Sequence, residues 1–230
     1  MAHFLRRPAL PPRLGIGAAA AWRRTWRLYL LDMIAMVALM TCLIAVLAIT
    51  GLELPDNALS DLELSWEVVA LVVLGAPIGE ELVFRGWLSG RARHLLAIPV
   101  ALVGIGAGVA IAASETDGAG MGTLAVCALS GALATYLLWS GRTKPPVRWF
   151  AWAFPLFFWL STAAFALVHL LNYKDGNAIY LLPLVLPQLV LGALLGYLRV
   201  TVGLVWNIAL HAMHNATALG VVALATAAGG

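Results

Sequence analysis

Long apolar runs dominate the chain, and short polar stretches separate them. A transmembrane helix requires about 20 consecutive, mostly apolar residues. Seven runs meet this requirement, at roughly residues 28–50, 66–88, 95–113, 121–140, 150–171, 179–198 and 202–225. Gly192 and Gly196 lie four residues apart in the sixth run, where small residues let another helix approach closely. The pattern predicts an all-α fold, a polytopic membrane helix bundle of about seven transmembrane helices.

Basic residues collect in alternate connections between the runs. They precede the first run and follow the second, fourth and sixth: Arg6, Arg7, Arg13, Arg23, Arg24, Arg27, Arg85, Arg91, Arg93, Arg142, Lys144, Arg148 and Arg199. The other connections are mainly acidic, with Lys174 as the exception. Because Lys and Arg accumulate in cytoplasmic loops, we expect the N-terminus in the cytoplasm and the C-terminus outside.

Composition agrees with a membrane protein. Hydrophobic residues make up 62% of the chain and charged residues 11%, whereas a soluble domain is about 25% charged. The lipid bilayer is therefore the expected surrounding, and the net charge of +3 does not indicate a nucleic-acid partner. Residues 1–27 form a basic cytoplasmic arm, and residues 28–230 a single transmembrane domain. Cys42 and Cys127 lie in apolar runs, so no disulfide or metal pair is expected.

The second run contains two adjacent carboxylates, Glu80 and Glu81, followed by Arg85. Ionisable groups near the bilayer centre cost about 2.5–3.5 kcal/mol each, so each needs a reason to be there. Glu81 and Arg85 have the spacing of a helical ion pair. Glu80 points about 100° away and has no local partner, which makes it a candidate general acid or base. The alternative is that all three form a structural charge network.

Three histidines also lie in apolar runs: His169, His211 and His214. A single buried histidine is more often a hydrogen-bonded core residue than a site, but here the histidines accompany Glu80. Asn207, His211 and Asn215 recur every four residues and form one polar stripe on the last helix. Such a stripe must face protein or water. His214 lies about 60° from the stripe and could face another helix.

Helical rise tests whether these groups can meet. At about 1.5 Å per residue, Glu80 and His211 each lie roughly 12–15 Å from the inner end of their spans. His169 lies roughly 30 Å from Phe150, or about 21 Å if the helix starts with Pro155 in its first turn, where proline is tolerated. We therefore expect Glu80 and His211 to meet, with His169 in reach if the helices tilt.

At this point the residues resemble the signature of the CAAX-protease and bacteriocin-processing, or Abi-type, intramembrane endopeptidases. That signature is Glu-Glu-x-x-x-Arg, Phe-x-x-x-His and His-x-x-x-Asn on separate membrane helices. The chain has the three motifs in order, at Glu80 to Arg85, Phe165 to His169 and His211 to Asn215. The resemblance covers a catalytic core at about residues 71–225 and leaves the first span outside it. An extra hairpin, at about residues 95–140, lengthens the connection between the first two motifs.

The resemblance implies an endopeptidase for a membrane-associated or lipid-modified protein or peptide. In such an enzyme Glu80, assisted by His169, activates a water that attacks the scissile carbonyl. His211 and Asn215 donate hydrogen bonds to the developing oxyanion.

The remaining motif residues, Glu81 and Arg85, support the site in this interpretation, and no cofactor is needed. The alternative is a catalytic zinc held by Glu80, His169 and His211. The metal-free version is favoured because the chain lacks a His-Glu-x-x-His helix and because an asparagine suits an oxyanion better than zinc.

Two other functions compete with the enzyme: a catalytically inactive membrane scaffold and a proton-linked transporter, since intramembrane carboxylates and histidines also relay protons. No pair of broken, repeat-related helices supports the transporter. The Ala- and Gly-rich spans, without a transit peptide or retrieval signal, point to a bacterial cytoplasmic membrane.

Overall fold

The computed structural model describes residues 1–11, 16–53, 55, 64–114, 118–140, 144–174, 176 and 178–229. Within these ranges the regular elements are helices, accompanied only by isolated β-bridges. The predicted all-α class is therefore confirmed. Six of the helices are long and apolar enough to cross a membrane, and the chain is an integral membrane protein.

Ten α-helices follow one another along the described residues. They are α1 (Ala2–Arg6), α2 (Ala18–Thr50), α3 (Trp66–Ala70), α4 (Ala76–Arg85), α5 (Ala92–Ala112), α6 (Ala119–Ser140), α7 (Arg148–Val168), α8 (Ala178–Leu181), α9 (Leu186–Thr201) and α10 (Leu204–Gly229). Short 3₁₀ turns at Gly86–Ser89, His169–Asn172 and Leu182–Val185 extend or join them.

Two compact units divide the chain. The first comprises Met1–Arg85 and Pro155–Gly230, and the second comprises Gly86–Phe154. In the first unit α9 packs against α2 and α10, and the core lies among these helices and the second half of α7. Its buried side chains are Leu28, Phe165, Leu191, Leu194, Leu195, Leu198 and Leu210. Every site residue predicted from the sequence lies in this first unit.

The two glycines of α9 allow α7 to approach closely, as predicted from their spacing. A Cβ atom at Gly196 would lie 2.8 Å from Cε2 of Phe158, and one at Gly192 would lie 3.1 Å from Cδ1 of Phe165. Cβ atoms in proteins essentially never lie within 2.8 Å of such an atom in another residue. Close packing between α7 and α9 therefore depends on glycine, which has no side chain, at these positions.

The second predicted span is helical, but its hydrogen-bond pattern changes along its length. Ser65 caps α3 by accepting a hydrogen bond from the backbone N–H of Val68, and a π-helical segment at Leu71–Gly75 joins α3 to α4. Pro77 lacks the N–H that would bond four residues back, which disrupts a regular α-helix at this point. The span is not one of the six long apolar helices, and the total of about seven stays a prediction.

Two described segments of the predicted N-terminal arm are helical. The first spanning helix begins at Ala18 rather than near residue 28, so Arg23, Arg24 and Arg27 lie on its first turns. Before it, α1 places the Phe4 ring edge-on to Phe158, with ring centroids 5.3 Å apart. The predicted arm thus contains a short docked helix and the start of α2.

The second unit contains the extra hairpin, which is formed by α5 and α6. A Cβ atom at Gly104 would overlap the Ser130 hydroxyl, and one at Gly108 would lie 2.7 Å from the Cys127 sulfur. The Thr123 hydroxyl donates a hydrogen bond to the carbonyl of Gly108 at 3.2 Å. Small residues therefore bring the two helices of the hairpin into close contact.

Candidate active site

Glu81 is the centre of a buried polar network between α4 and α10. Its side chain is fully buried. Oε1 accepts hydrogen bonds from Nη1 of Arg85 at 2.8 Å and from Nδ1 of His211 at 2.9 Å, and Oε2 accepts one from Nδ2 of Asn207. The predicted pairing of Glu81 with Arg85 is confirmed, and two residues of the polar stripe on α10 meet the same carboxylate.

The Arg85 guanidinium interacts with the Glu81 carboxylate and with an aromatic ring. Its guanidinium carbon lies 3.8 Å from the ring centroid of Phe165, a geometry in which the ring face attracts the cation. Arg85 is fully buried, and its Nε and Nη2 have no hydrogen-bond partner among the described residues. Stabilisation of this buried charge therefore depends on Glu81 and the Phe165 ring.

His211 lies between the two carboxylates of the first motif. An ionised carboxylate only accepts hydrogen bonds, so Nδ1 of His211 carries the proton that it shares with Glu81. The other ring nitrogen, Nε2, lies 3.9 Å from Oε2 of Glu80. The helical-rise calculation predicted that Glu80 and His211 would meet, and this distance agrees with that prediction.

Glu80 differs from its neighbour in environment. Its side chain is 30% exposed, yet Oε2 is buried and has no hydrogen-bond partner in the described part of the chain. A buried carboxylate oxygen without a donor is free to accept a hydrogen bond. This oxygen faces the imidazole of His211, so Glu80 stays the candidate general acid or base of the pair.

His169 lies at the end of α7, as the first residue of a 3₁₀ turn. Its Nδ1 donates to the Phe165 carbonyl at 2.7 Å, which leaves Nε2 as an acceptor. The Phe165 ring packs edge-on against both His169 and His211, with centroid distances of 4.9 Å and 5.5 Å.

The predicted start of the helix that carries His169 was wrong. Pro155 was expected in the first turn of its helix, but α7 begins at Arg148 and Pro155 lies inside it. Aromatic residues before Pro155 continue the helix despite the missing N–H. His169 reaches the other site residues although α7 starts earlier than the calculation required.

Asn215 is bonded to the backbone of the second predicted span. Its Nδ2 donates to the carbonyl of Val72 at 2.9 Å, and Val72 belongs to the π-helical segment. One amide hydrogen is used in this bond and a second one is left. The structure therefore brings His169 and His211 together around Phe165, places Glu80 beside His211, and attaches Asn215 to the backbone of the neighbouring span.

Asp32 is the polar residue that the sequence analysis missed. It lies in α2, is fully buried, and accepts a hydrogen bond from Nδ1 of His214 through Oδ2 at 2.7 Å. The free-energy cost of inserting a charged residue into the membrane, which identified Glu80 as a candidate, applies equally to an aspartate in an apolar run. Asp32 could therefore have been identified from the sequence in the same way. His214 does face another helix, as its angle from the stripe allowed.

The predicted alternative zinc ligands do not form a ligand group. Among the described residues, no three His, Cys, Asp or Glu side chains are arranged to hold one metal ion. Nδ1 of His211 is bonded to Glu81, and Nδ1 of His169 to the Phe165 carbonyl. These bonds leave Nε2 of both histidines open, and the zinc alternative stays a hypothesis.

Comparison with known proteins adds one match. A family model described as type II CAAX prenyl endopeptidase Rce1-like matches residues 62–217. The matched region is more than half of the 230-residue chain, contains the three motifs and excludes α2. No curated protein and no solved structure matches the chain.

Proposed function

The chain belongs to the type II CAAX prenyl endopeptidase Rce1-like family, and we propose that it hydrolyses a peptide bond in prenylated or other membrane-associated substrates by a glutamate-activated water. Family membership carries CAAX-type intramembrane endopeptidase activity. The observation that best supports the glutamate mechanism concerns Oε2 of Glu80, a buried oxygen that has no donor among the described residues and lies 3.9 Å from Nε2 of His211.

Glu80 and His169 activate the water in this mechanism. Nε2 of His169 is an acceptor because Nδ1 donates to a backbone carbonyl, so His169 orients the water and Glu80 takes its proton. The hydroxide oxygen then bonds to the scissile carbonyl carbon. When the carbon–nitrogen bond breaks, Glu80 gives the proton to the leaving nitrogen, which leaves a carboxylic acid and an amine as products.

His211 stabilises the oxyanion as an imidazolium. Since Nδ1 donates to Glu81, Nε2 can donate to an oxyanion only if the ring carries a second proton. Charge balance supports this state, because Glu80, Glu81 and Arg85 together carry one net negative charge that a cationic His211 neutralises. A balanced buried cluster avoids the cost of an uncompensated charge.

Asn215 supplies the second oxyanion donor. Its amide donates one hydrogen to the Val72 carbonyl, which holds the group in place and leaves the other hydrogen for the substrate. A preorganised donor of this kind is worth about 100- to 1,000-fold in kcat in known oxyanion sites. Glu81 and Arg85 hold His211 and do not contact the reacting atoms. No step of this mechanism uses a metal ion.

The test is cleavage of a farnesylated CAAX peptide by detergent-purified protein, with products identified by mass spectrometry. Glu80→Gln should lower kcat by about 100- to 10,000-fold, the range for general acid–base catalysis, while the melting temperature stays unchanged. Glu67→Gln is the matched control, since Glu67 is an exposed carboxylate at the start of the same span. Activity should survive a strong zinc chelator.

Three results would contradict this proposal. Full activity in Glu80→Gln would exclude Glu80 as the base, and loss of wild-type activity with the chelator, restored by zinc, would favour the metal alternative. No cleavage by the wild type, of this peptide or of membrane-protein substrates, would favour the inactive scaffold or the proton-linked transporter.

The location proposed for the protein is a bacterial cytoplasmic membrane with the N-terminus in the cytoplasm. Lys144 and Lys174 are exposed and lie on opposite predicted sides. In a variant without Cys42 and Cys127, Lys174→Cys should react with a membrane-impermeant reagent applied outside the cell, and Lys144→Cys should not. The reverse labelling would overturn the orientation.

A further inference from the structure

A carboxylate in the N-terminal spanning helix has no role in the mechanism above. Asp32 is fully buried in α2 and is bonded to His214 of α10 at 2.7 Å. Its second oxygen, Oδ1, has no hydrogen-bond partner in the part of the chain that the structure describes. An aspartate inside a membrane span is costly to insert, and a single hydrogen bond offsets only part of that cost.

The partner of Asp32 lies between two proposed catalytic residues. His214 directly precedes Asn215 and follows His211 by three positions, one helical turn away. Any rotation of α10 that moves His214 therefore moves both neighbours. The contact between Asp32 and His214 is a contact on the active-site section of α10.

Polar contacts hold α10 on more than one side. Glu81 of α4 binds His211, and the carbonyl of Val72 binds Asn215. Asp32 of α2 binds His214. The rotation of α10 about its axis is thus set by contacts to two separate stretches of the chain, and the α2 contact lies outside the residues 62–217 that the family model matches.

We propose that Asp32 is a positioning residue of the active site, which sets the rotation of α10 through His214 and so the distance between His211 and Glu80. The inference rests on the proposed function. Side-chain ends lie about 5–6 Å from a helix axis, so a rotation of about 10° displaces them by about 1 Å. A misplacement of 1 Å can lower a rate by about 100-fold.

Packing alone does not account for an aspartate at this position. Replacing a buried charged pair by apolar residues of similar volume is often neutral or stabilising, and the bilayer favours apolar residues further. A leucine at position 32 would keep the approximate size and remove the insertion cost. A residue that is costly for stability and bonded to the catalytic section of α10 is expected to act on catalysis.

The first experiment separates positioning from packing with steady-state kinetics on the farnesylated CAAX peptide. Measured well below the melting temperature of each variant, Asp32→Leu should lower kcat by about 10- to 100-fold, with KM within about twofold. Asp32→Asn, which retains an acceptor for His214, should recover most of the activity. The matched control is Tyr29→Phe, which removes the other polar contact between the same helices, a 2.7 Å bond to Thr217, and should leave kcat within about twofold.

A double variant tests whether Asp32 acts through His214. If it does, Asp32→Leu combined with His214→Leu should lower kcat no further than His214→Leu alone. Losses that multiply, an unchanged kcat in Asp32→Leu, or equal losses in Asp32→Leu and Tyr29→Phe would each overturn the proposal.

A readout without activity keeps the inference apart from the proposed function. In protein with ¹⁵N-labelled histidines, assigned through single substitutions, Asp32→Leu should shift the ring nitrogen signals of His211 as well as those of His214. Tyr29→Phe should leave the His211 signals in place. Unshifted His211 signals in Asp32→Leu would refute positioning, even if the wild type cleaves the peptide. Shifted signals with no wild-type cleavage would refute the proposed enzyme alone.

Discussion

Replacing Glu81 by glutamine tests whether this carboxylate holds the active site together. The change keeps the shape of the side chain and removes its charge. Glu81 and Arg85 are both fully buried and 2.8 Å apart, so the variant leaves a buried guanidinium without its counterion. It also places an amide NH₂ among the three donors that Glu81 accepts from, on Arg85, His211 and Asn207.

The expected loss is large. Removing one partner of a buried ion pair costs about 3–5 kcal/mol. For a domain of about 150–250 residues, each kcal/mol shifts the melting temperature by about 2–4 °C, so Glu81→Gln should melt about 6–20 °C lower. Glu80→Gln is the control on the adjacent residue. Because Glu80 is 30% exposed and its buried oxygen lacks a hydrogen-bond partner among the described residues, its melting temperature should stay within about 2 °C, since changes away from buried networks are small.

The assay is thermal unfolding of detergent-purified protein, checked by size-exclusion chromatography for a single species. A double variant, Glu81→Gln with Arg85→Met, removes the stranded cation and should recover part of the lost stability. If Glu81→Gln is as stable as Glu80→Gln, the buried network does not contribute as the geometry indicates. If the double variant is less stable than Glu81→Gln, the loss does not come from the unpaired arginine.

Two further predictions concern packing around the site. Gly196→Ala should lower the free energy of unfolding by about 1–3 kcal/mol, because its Cβ would overlap an aromatic ring of α7. Gly220→Ala, in open space on α10, should be neutral or raise the free energy of unfolding by about 0.5–1 kcal/mol. Equal effects of the two substitutions in chemical denaturation would refute the close approach of α7 to α9. Phe165→Leu should cost about 2 kcal/mol or more by removing the ring 3.8 Å from the Arg85 guanidinium, while Phe84→Leu, whose ring lies at 5.7 Å, should cost less in the same assay.

Local spacing accounts for the parts of the site that the sequence predicted correctly. Glu81 and Arg85 are four residues apart on one helix, so their pairing needs no knowledge of other helices. The same holds for the two glycines of α9 and for the polar stripe on α10, because helical periodicity alone places such residues on one face. Burial of the stripe followed from the cost of exposing polar groups to lipid.

Partner choice between helices required the tertiary structure. The spacing showed that His211 must face protein, yet not that Nδ1 would bind Glu81 while Nε2 faced Glu80. These partners are 130 residues apart in the chain, and adjacent carboxylates on one helix differ by about 100° in direction. The rotation of each helix about its axis decides which carboxylate faces which ring nitrogen, and no local pattern reports that rotation.

The sequence by itself determined the fold class, the membrane setting and the residues able to carry chemistry, because apolar length, helical period and the cost of buried charge are properties of short segments. Only the tertiary structure decided the pairing of Asp32 with His214, 182 residues apart, and the bond from Asn215 to the π-helical carbonyl of Val72, 143 residues apart. Such contacts depend on the rotation, tilt and irregularities of whole helices, which packing between distant segments sets.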